Sequence, residues 1–358
     1  MNHRERVLSA LNREGFDRIP VRHEAEPAVN TQLMAFFGVS EQSSLLDCLG
    51  DDLRSVQPIY HGPKSRLHPD GTIEFGWPTR LWPVGARYKY VEVPGGAYAE
   101  VVYRPFEGIT DPDQLADFAF PSPDWFDYST IKAQCQHWGE YARFHGRAGI
   151  MDFINSLSQV RGMEDVLVGI AIEDPVLLKL MDIKFKFHYE MVERVLQAAD
   201  GMIDIVYCGE DLGTQNAPII SLRSFDRLFA PKYGAFFDMV HRYGAKTMMH
   251  SCGAVRPFLP RLIELGLDIL QVVQVSAANM DLRELQQEFG SKLSFCSSMC
   301  VQTTLIDGTV QDVEREVQLR LELFRNGGLI LGPSHAIQPS TPLANILAMY
   351  RAAGSLSY

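Results

Sequence analysis

Through the C-terminal half of the chain, short apolar runs alternate with longer segments in which apolar residues recur every three or four positions. This alternation predicts successive strand and helix units around a parallel sheet. Ile203-Asp204-Ile205-Val206-Tyr207 reads as a strand, followed by Gly209-Glu210-Asp211-Leu212-Gly213 and a helix from about Ser224 to Tyr243. Lys246 to Met249 is the next strand, with a helix starting near Arg256, and Asp268 to Val273 precedes a helix at Asp281 to Phe289. Leu293 to Cys296 precedes a helix from about Val310 to Phe324, and Leu329 to Leu331 precedes one at Pro342 to Ala353. Upstream, Ala148 to Asp152 reads as an earlier strand and Asp165 to Ala199 as strongly helical. Such a series most often closes into an eight-stranded barrel, so the predicted fold class is α/β, a (β/α)8 TIM barrel. It is expected as a single domain over residues 1–358 with N-terminal helical and loop additions. An open doubly wound sheet is the competing arrangement, weakened because no Gly-rich phosphate loop follows any strand.

Both arrangements gather ligand-binding groups at the C-terminal ends of strands, and the chemistry-bearing residues lie there. His250-Ser251-Cys252-Gly253 ends the apolar run Ala245 to Met249. In extended backbone, residues i and i+2 share a face, so this imidazole and thiol can grip one soft metal ion. A catalytic zinc takes three protein ligands and keeps one position open, and the best distant third ligand is His335, which ends another apolar run. The competing readings are a buried core thiol, a core histidine satisfying a hydrogen bond, and a His335 that faces substrate. Glu210 and Asp211 read as an acid/base or orienting pair or as loop caps, with Glu210 also a candidate fourth ligand. Gln274 is a substrate contact at the same mouth, while Cys296 and Cys300 read as core or loop positions, Cys300 being a reserve ligand. A second constellation lies upstream, where Arg54, Tyr60 and Trp77 are candidate substrate contacts: a fork for a carboxylate and two flat walls. Against this, Arg54 can simply pair with Asp51 or Asp52 while the aromatics fill core.

Composition narrows the partners. The chain has 358 residues, 46% of them hydrophobic, enough for one sizeable core. A net charge of -11 with no lysine or arginine block argues against nucleic acid and anionic membranes, leaving small molecules and proteins. No stretch approaches the ~20 apolar residues of a membrane span, and Met1 to Arg6 is too charged for a secretory segment, so a cytoplasmic location is expected. The six cysteines are then expected as thiols.

Several blocks occur in an order and spacing that resemble the uroporphyrinogen decarboxylase superfamily, and within it the zinc-dependent methyltransferases that work with corrinoid proteins. They are Arg4 to Leu8 with Asp17 to Pro20, Gly209 to Gln215, Pro231-Lys232-Tyr233, His250 to Gly253, Gly266 to Leu270 and Pro339 to Ile346. The resemblance runs over nearly the whole chain. Nothing matches the arginine-rich RQAGRY-type motif of the decarboxylases, which argues against porphyrin decarboxylation. The methyltransferases hold zinc with His-X-Cys and a distant Cys. His250 and Cys252 match the first pair, but Pro333-Ser334-His335 stands where the family has Pro-Gly-Cys. The resemblance therefore implies a zinc enzyme moving a methyl group between a small substrate or corrinoid and a thiol or corrinoid acceptor, the corrinoid supplied by a partner protein. A site of two histidines and one cysteine carries more positive charge and leans towards Lewis-acid use on oxygen. That keeps open a metal-assisted lyase or decarboxylase acting on a small carboxylated substrate. A non-catalytic subunit that binds a ligand or a corrinoid protein is the third reading, and a homodimer is compatible with all three.

Overall fold

The computed structural model describes residues 1–77, 79, 82, 84–93 and 96–356. Seven parallel strands, Leu53–Ser55, Ala142–Gly146, Ile205–Gly209, Lys246–His250, Ile269–Gln271, Ser294–Cys296 and Leu329–Ile330, pair in that order. The sheet closes through an eighth short segment at Val21, which bridges Leu331 in parallel. Arg22 N–H donates to Leu331 O at 2.8 Å, and Asp52 N–H donates to Val21 O at 3.0 Å on the other side. The result is the (β/α)8 barrel expected from the alternating pattern.

The barrel interior is filled by the inward residues of successive strands, among them Leu53, Ala142, Ile205, Met248, Ile269 and Ile330. The helix His3–Asn12 stoppers one end with Val7 and Leu11, which join that cluster. Asn2 starts the helix because its side chain accepts from Glu5 N–H while Glu5 reaches back to the Asn2 N–H. Beneath the plug, fully buried Asp52 accepts from Arg6 Nη1 at 2.6 Å, Arg18 Nη1 at 2.9 Å and Val21 N–H at 2.8 Å, with His3 Nδ1 at 2.8 Å.

Four expectations need correction. The strand before the long helical region is Ala142–Gly146, and Ala148 to Asp152 forms the loop after it. Its outward positions are polar, Arg143 pairing with Asp204 and His145 with Val56 O, which disguises a strand that is buried on both faces. The stretch Asp165 to Ala199 is two helices, Met163–Ile172 and Pro175–Ala199. They separate where Glu173 turns to φ 60° and Asp174 caps the Leu177 N–H ahead of Pro175. The loop additions contain regular structure: Arg66–Leu67, Ile73–Glu74, Arg87–Val93 and Gly96–Tyr103 make a four-stranded antiparallel sheet inserted between the first two barrel strands. Likewise the helix expected from Ser224 to Tyr243 opens into a π turn at Phe225–Phe229 before continuing as Ala230–Arg242. Among the described residues no helix is long and apolar enough to cross a membrane.

Candidate metal centre

His250 is the last residue of its strand, Cys252 lies two residues further, and Asp211 lies two residues past the end of the adjacent strand Ile205–Gly209. Parallel pairing sets His250 opposite Gly209, which brings the two loops together. Gly253 then turns with φ +83°, and a Cβ there would meet the Gly213 backbone at 2.5 Å, so the two loops interlock only as glycines. Ligand atoms of Asp211, His250 and Cys252 consequently lie within 4.8 Å of one another.

The hydrogen bonds aim these atoms at a common point. Gln271 Oε1 accepts from Tyr207 O–H at 2.7 Å and sits 2.6 Å from His250 Nδ1, while Gln271 Nε2 donates to Glu24 Oε2 at 3.2 Å. With the amide so oriented, His250 Nδ1 must carry the proton and Nε2 faces Asp211 Oδ1 at 3.4 Å. Asp211 Oδ1 accepts from Cys252 N–H and Cys252 S–H, each at 3.2 Å, and its other oxygen is held by Asn155 Nδ2 at 2.7 Å. Burial works against charge on His250, but the hydrogen bond and charge of Asp211 outweigh it and raise the imidazole to about 10. Burial would raise Asp211, yet His250 and the Cys252 donors hold it well below the usual carboxylate range. The three groups thus favour positive charge between them, on the side where a metal ion would bind. One imidazole with its second nitrogen tied back, one carboxylate and one thiol suit zinc or a similar borderline ion.

The other expected site residues divide sharply. Glu210 is buried, and its carboxylate oxygens accept from Phe153 N–H at 2.8 Å and Ile154 N–H at 3.0 Å, clamping the loop after the second strand. Burial and neighbouring Asp152 push it well above the ordinary glutamate value, and it serves as a loop clamp that does not join the three donors. His335 is exposed on the opposite wall, its ring centroid 6.0 Å from that of His250. Two imidazoles on one tetrahedral ion would lie roughly 5 Å apart by this measure. Gln274 accepts from Gly253 N–H at 2.8 Å, and with Cys252 and His335 it lines a cavity of about 440 Å³. Arg54 is not brought to the mouth. It is buried against Tyr141 at 3.9 Å and donates to Asp47 Oδ1 at 2.5 Å. Cys296 is fully buried in the barrel core, and Cys300 is buried with Thr303 donating to its sulfur. Neither is in the donor group.

Tyr60 and Trp77 line a second and larger cavity of about 670 Å³ over the barrel axis, together with Arg22, Glu24, Arg147 and Tyr207. Glu24 and Tyr207 both bond Gln271, so this chamber and the donor triad share a wall. Reasoning from sequence did not group Asp211 with His250 and Cys252 as a possible ligand, and missed Arg22, Glu24, Arg147 and Gln271. The i, i+2 spacing of Arg22 and Glu24 after Ile19-Pro20-Val21 is the signal of a strand with a polar inner end.

A family model described as uroporphyrinogen decarboxylase (URO-D) matches residues 160–356. No protein with a curated description matches the sequence. Among solved structures, a methyltransferase from Methanosarcina mazei superposes with a TM-score of 0.64 at 17% identity, over 99% of this chain and 98% of that one. That likeness extends the shared barrel fold to the whole length of the chain. A 3-keto-D-glucoside 4-epimerase from E. coli is similar over 64% of this chain and 84% of that one, with a TM-score of 0.39 and 12% identity.

Proposed function

The chain belongs to the uroporphyrinogen decarboxylase family, and from that premise we propose that it is a zinc-dependent transferase moving a methyl group from a corrinoid carried by a partner protein onto a small thiol. The observation that carries this reading is the convergence of Asp211, His250 and Cys252, with His250 Nδ1 held by Gln271. When bound there, zinc would hold a sulfur ligand as its thiolate and so supply the nucleophile at neutral pH. Asp211 Oδ1 accepts from the Cys252 S–H, so the carboxylate and the sulfur would stand side by side as ligands. Asn155 fixes the carboxylate from behind, and Gln271 fixes the imidazole. The smaller cavity, between Cys252 and His335, is where the thiol substrate would enter, with Gln274 and His335 as its contacts. His335 stands slightly too far away to be a donor without moving, so it is read as a substrate contact.

Elemental analysis and activity test this together. Cys252→Ser and Asp211→Asn protein should lose most of about one zinc per chain, whereas His335→Ala should keep the metal and weaken thiol binding. Loss of metal from His335→Ala would make His335 the third ligand and remove Asp211 from that role. Thiol binding should release a proton, seen by calorimetry in buffers of different ionisation enthalpy, and methylcobalamin should be demethylated. Zinc-loaded protein that does neither with a panel of small thiols would shift the reading to the metal-assisted lyase.

A further inference from the structure

The smaller cavity is lined by four glutamines, Gln215, Gln274, Gln302 and Gln338, and by no aspartate, glutamate, lysine or arginine among the described residues. Three of these amides form one chain whose direction is fixed by the backbone at two points. Gly253 N–H can only donate, so the atom it meets at 2.8 Å is Gln274 Oε1. Gln274 Nε2 then donates to Gln215 Oε1 at 2.8 Å and to Gln302 Oε1 at 3.3 Å. Ser276 O can only accept, and it takes Gln215 Nε2 at 2.6 Å, which sets the same direction independently. Gln302 Oε1 also accepts from Ser276 O–H. Gln302 is left with its Nε2 unused: among the described residues nothing accepts from it, and the residue is exposed in the cavity it lines. Gln338, in the loop that carries His335, is the converse case. Its Nε2 donates to Ala336 O at 2.9 Å, and its Oε1 remains an acceptor with no donor among the described residues.

A fixed donor and a fixed acceptor match a carboxamide, whose carbonyl takes the N–H of Gln302 and whose own N–H reaches Gln338 Oε1. A carboxylate has no N–H to offer Gln338, so it would set lone pairs against lone pairs, with no lysine or arginine among the described lining residues to hold its charge. The metal would sharpen the contrast. Zinc held by one carboxylate, one thiolate and a neutral imidazole is already balanced, and a thiolate substrate adds a negative charge that would repel a second one in its tail. We infer that this cavity selects an uncharged small thiol whose tail carries a carboxamide, with Gln302 and Gln338 as the residues that set the specificity. The sulfur end of that molecule follows the transferase reading on which this inference rests, whereas the nature of its tail is read from the amides.

Calorimetric titration of the zinc-loaded, full-length protein at pH 8, where an ordinary imidazole is neutral, tests this with three thiols. They are 3-mercaptopropanamide, its near-isostere 3-mercaptopropanoate, and propanethiol, which has the sulfur and no polar tail. The amide should bind about tenfold or more tighter than the acid, and tighter than propanethiol. Gln302→Leu should cut the ratio of amide to acid affinity by about fivefold or more and leave propanethiol within about twofold. Gln302→Lys should reverse the order, because it puts a cation where the neutral donor stood. Equal binding of amide and acid, tighter binding of the acid by wild type, or a ratio unchanged in Gln302→Leu would each overturn the assignment. Propanethiol binding with release of a proton but no preference for the amide removes this inference and leaves the transferase reading standing. Preference for the amide without demethylation of methylcobalamin supports this inference and removes the methyl-transfer step alone, and binding of none of the three thiols removes both.

Discussion

Gln271 decides the chemistry of the proposed centre without supplying an atom to it. A lone glutamine in an apolar strand carries no visible purpose in sequence, and only the closed barrel shows that it joins Tyr207, Glu24 and His250 in one hydrogen-bonded wall. Gln271→Leu should free the imidazole to choose the wrong tautomer, and zinc affinity measured by chelator competition should fall ten- to a hundredfold. Retention of wild-type affinity would show that Gln271 does not orient the ligand. His250 and Cys252 were legible because a two-residue spacing in extended backbone has a single geometric meaning. Glu210 and Asp211 were not separable, since adjacent acids after a strand look alike. The fold turns one into the Phe153 and Ile154 N–H groups and the other towards His250. Arg54 misled for a related reason: a guanidinium near polar residues reads as a ligand fork, and whether it points into the mouth or outwards to Tyr141 depends on strand register.

At the scale of elements, the helices and strands after residue 200 follow the sequence pattern because each strand is a short buried segment carrying apolar residues and the helices between them are amphipathic. The strand Ala142–Gly146 escaped because Arg143 and His145 occupy outward positions that remain buried under helices. The hairpin Arg87–Tyr103 escaped although alternating residues flank a Pro-Gly-Gly turn signal, because no barrel unit was expected there. His145 gives that hidden strand a measurable signature. It is fully buried, its Nδ1 sits 2.9 Å from Val56 O, and burial lowers it to about 4 from the ordinary 6.5. The unfolded chain takes up a proton between pH 6.5 and 4 that the folded His145 refuses, so this residue's contribution to stability falls as pH drops through that window. The advantage of wild type over His145→Gln in urea unfolding should therefore shrink by about 1.4 kcal/mol per pH unit from pH 6.5 to 4. A constant difference across that range would show that the imidazole is not buried neutral.

For the molecule as a whole, Asp52 binds the N-terminal helix and the closing segment to the barrel floor. Removing its charge leaves Arg6 and Arg18 facing a neutral buried partner, and Asp52→Asn should cost about 3–5 kcal/mol in urea unfolding at pH 7. Hydrogen bonds and charge from His3, Arg18, Val21 N–H and Arg6 outweigh the cost of burial and hold Asp52 below the ordinary carboxylate value. Its contribution is thus complete above about pH 4 and is lost as pH falls further, so the gap between wild type and variant should close in strong acid. The same closure has a temporal meaning. Val21 pairs with Leu331, and the segment that makes this pairing also carries Arg22 and Glu24 into the larger chamber. A ribosome releases Val21 long before Leu331. Until the strand Leu329–Ile330 emerges the nascent polypeptide has an unsealed sheet, so the segment that carries Arg22 and Glu24 lacks one of its two barrel neighbours. Partial products would expose both unsealed strand edges and are the species a cell's chaperones should be found holding.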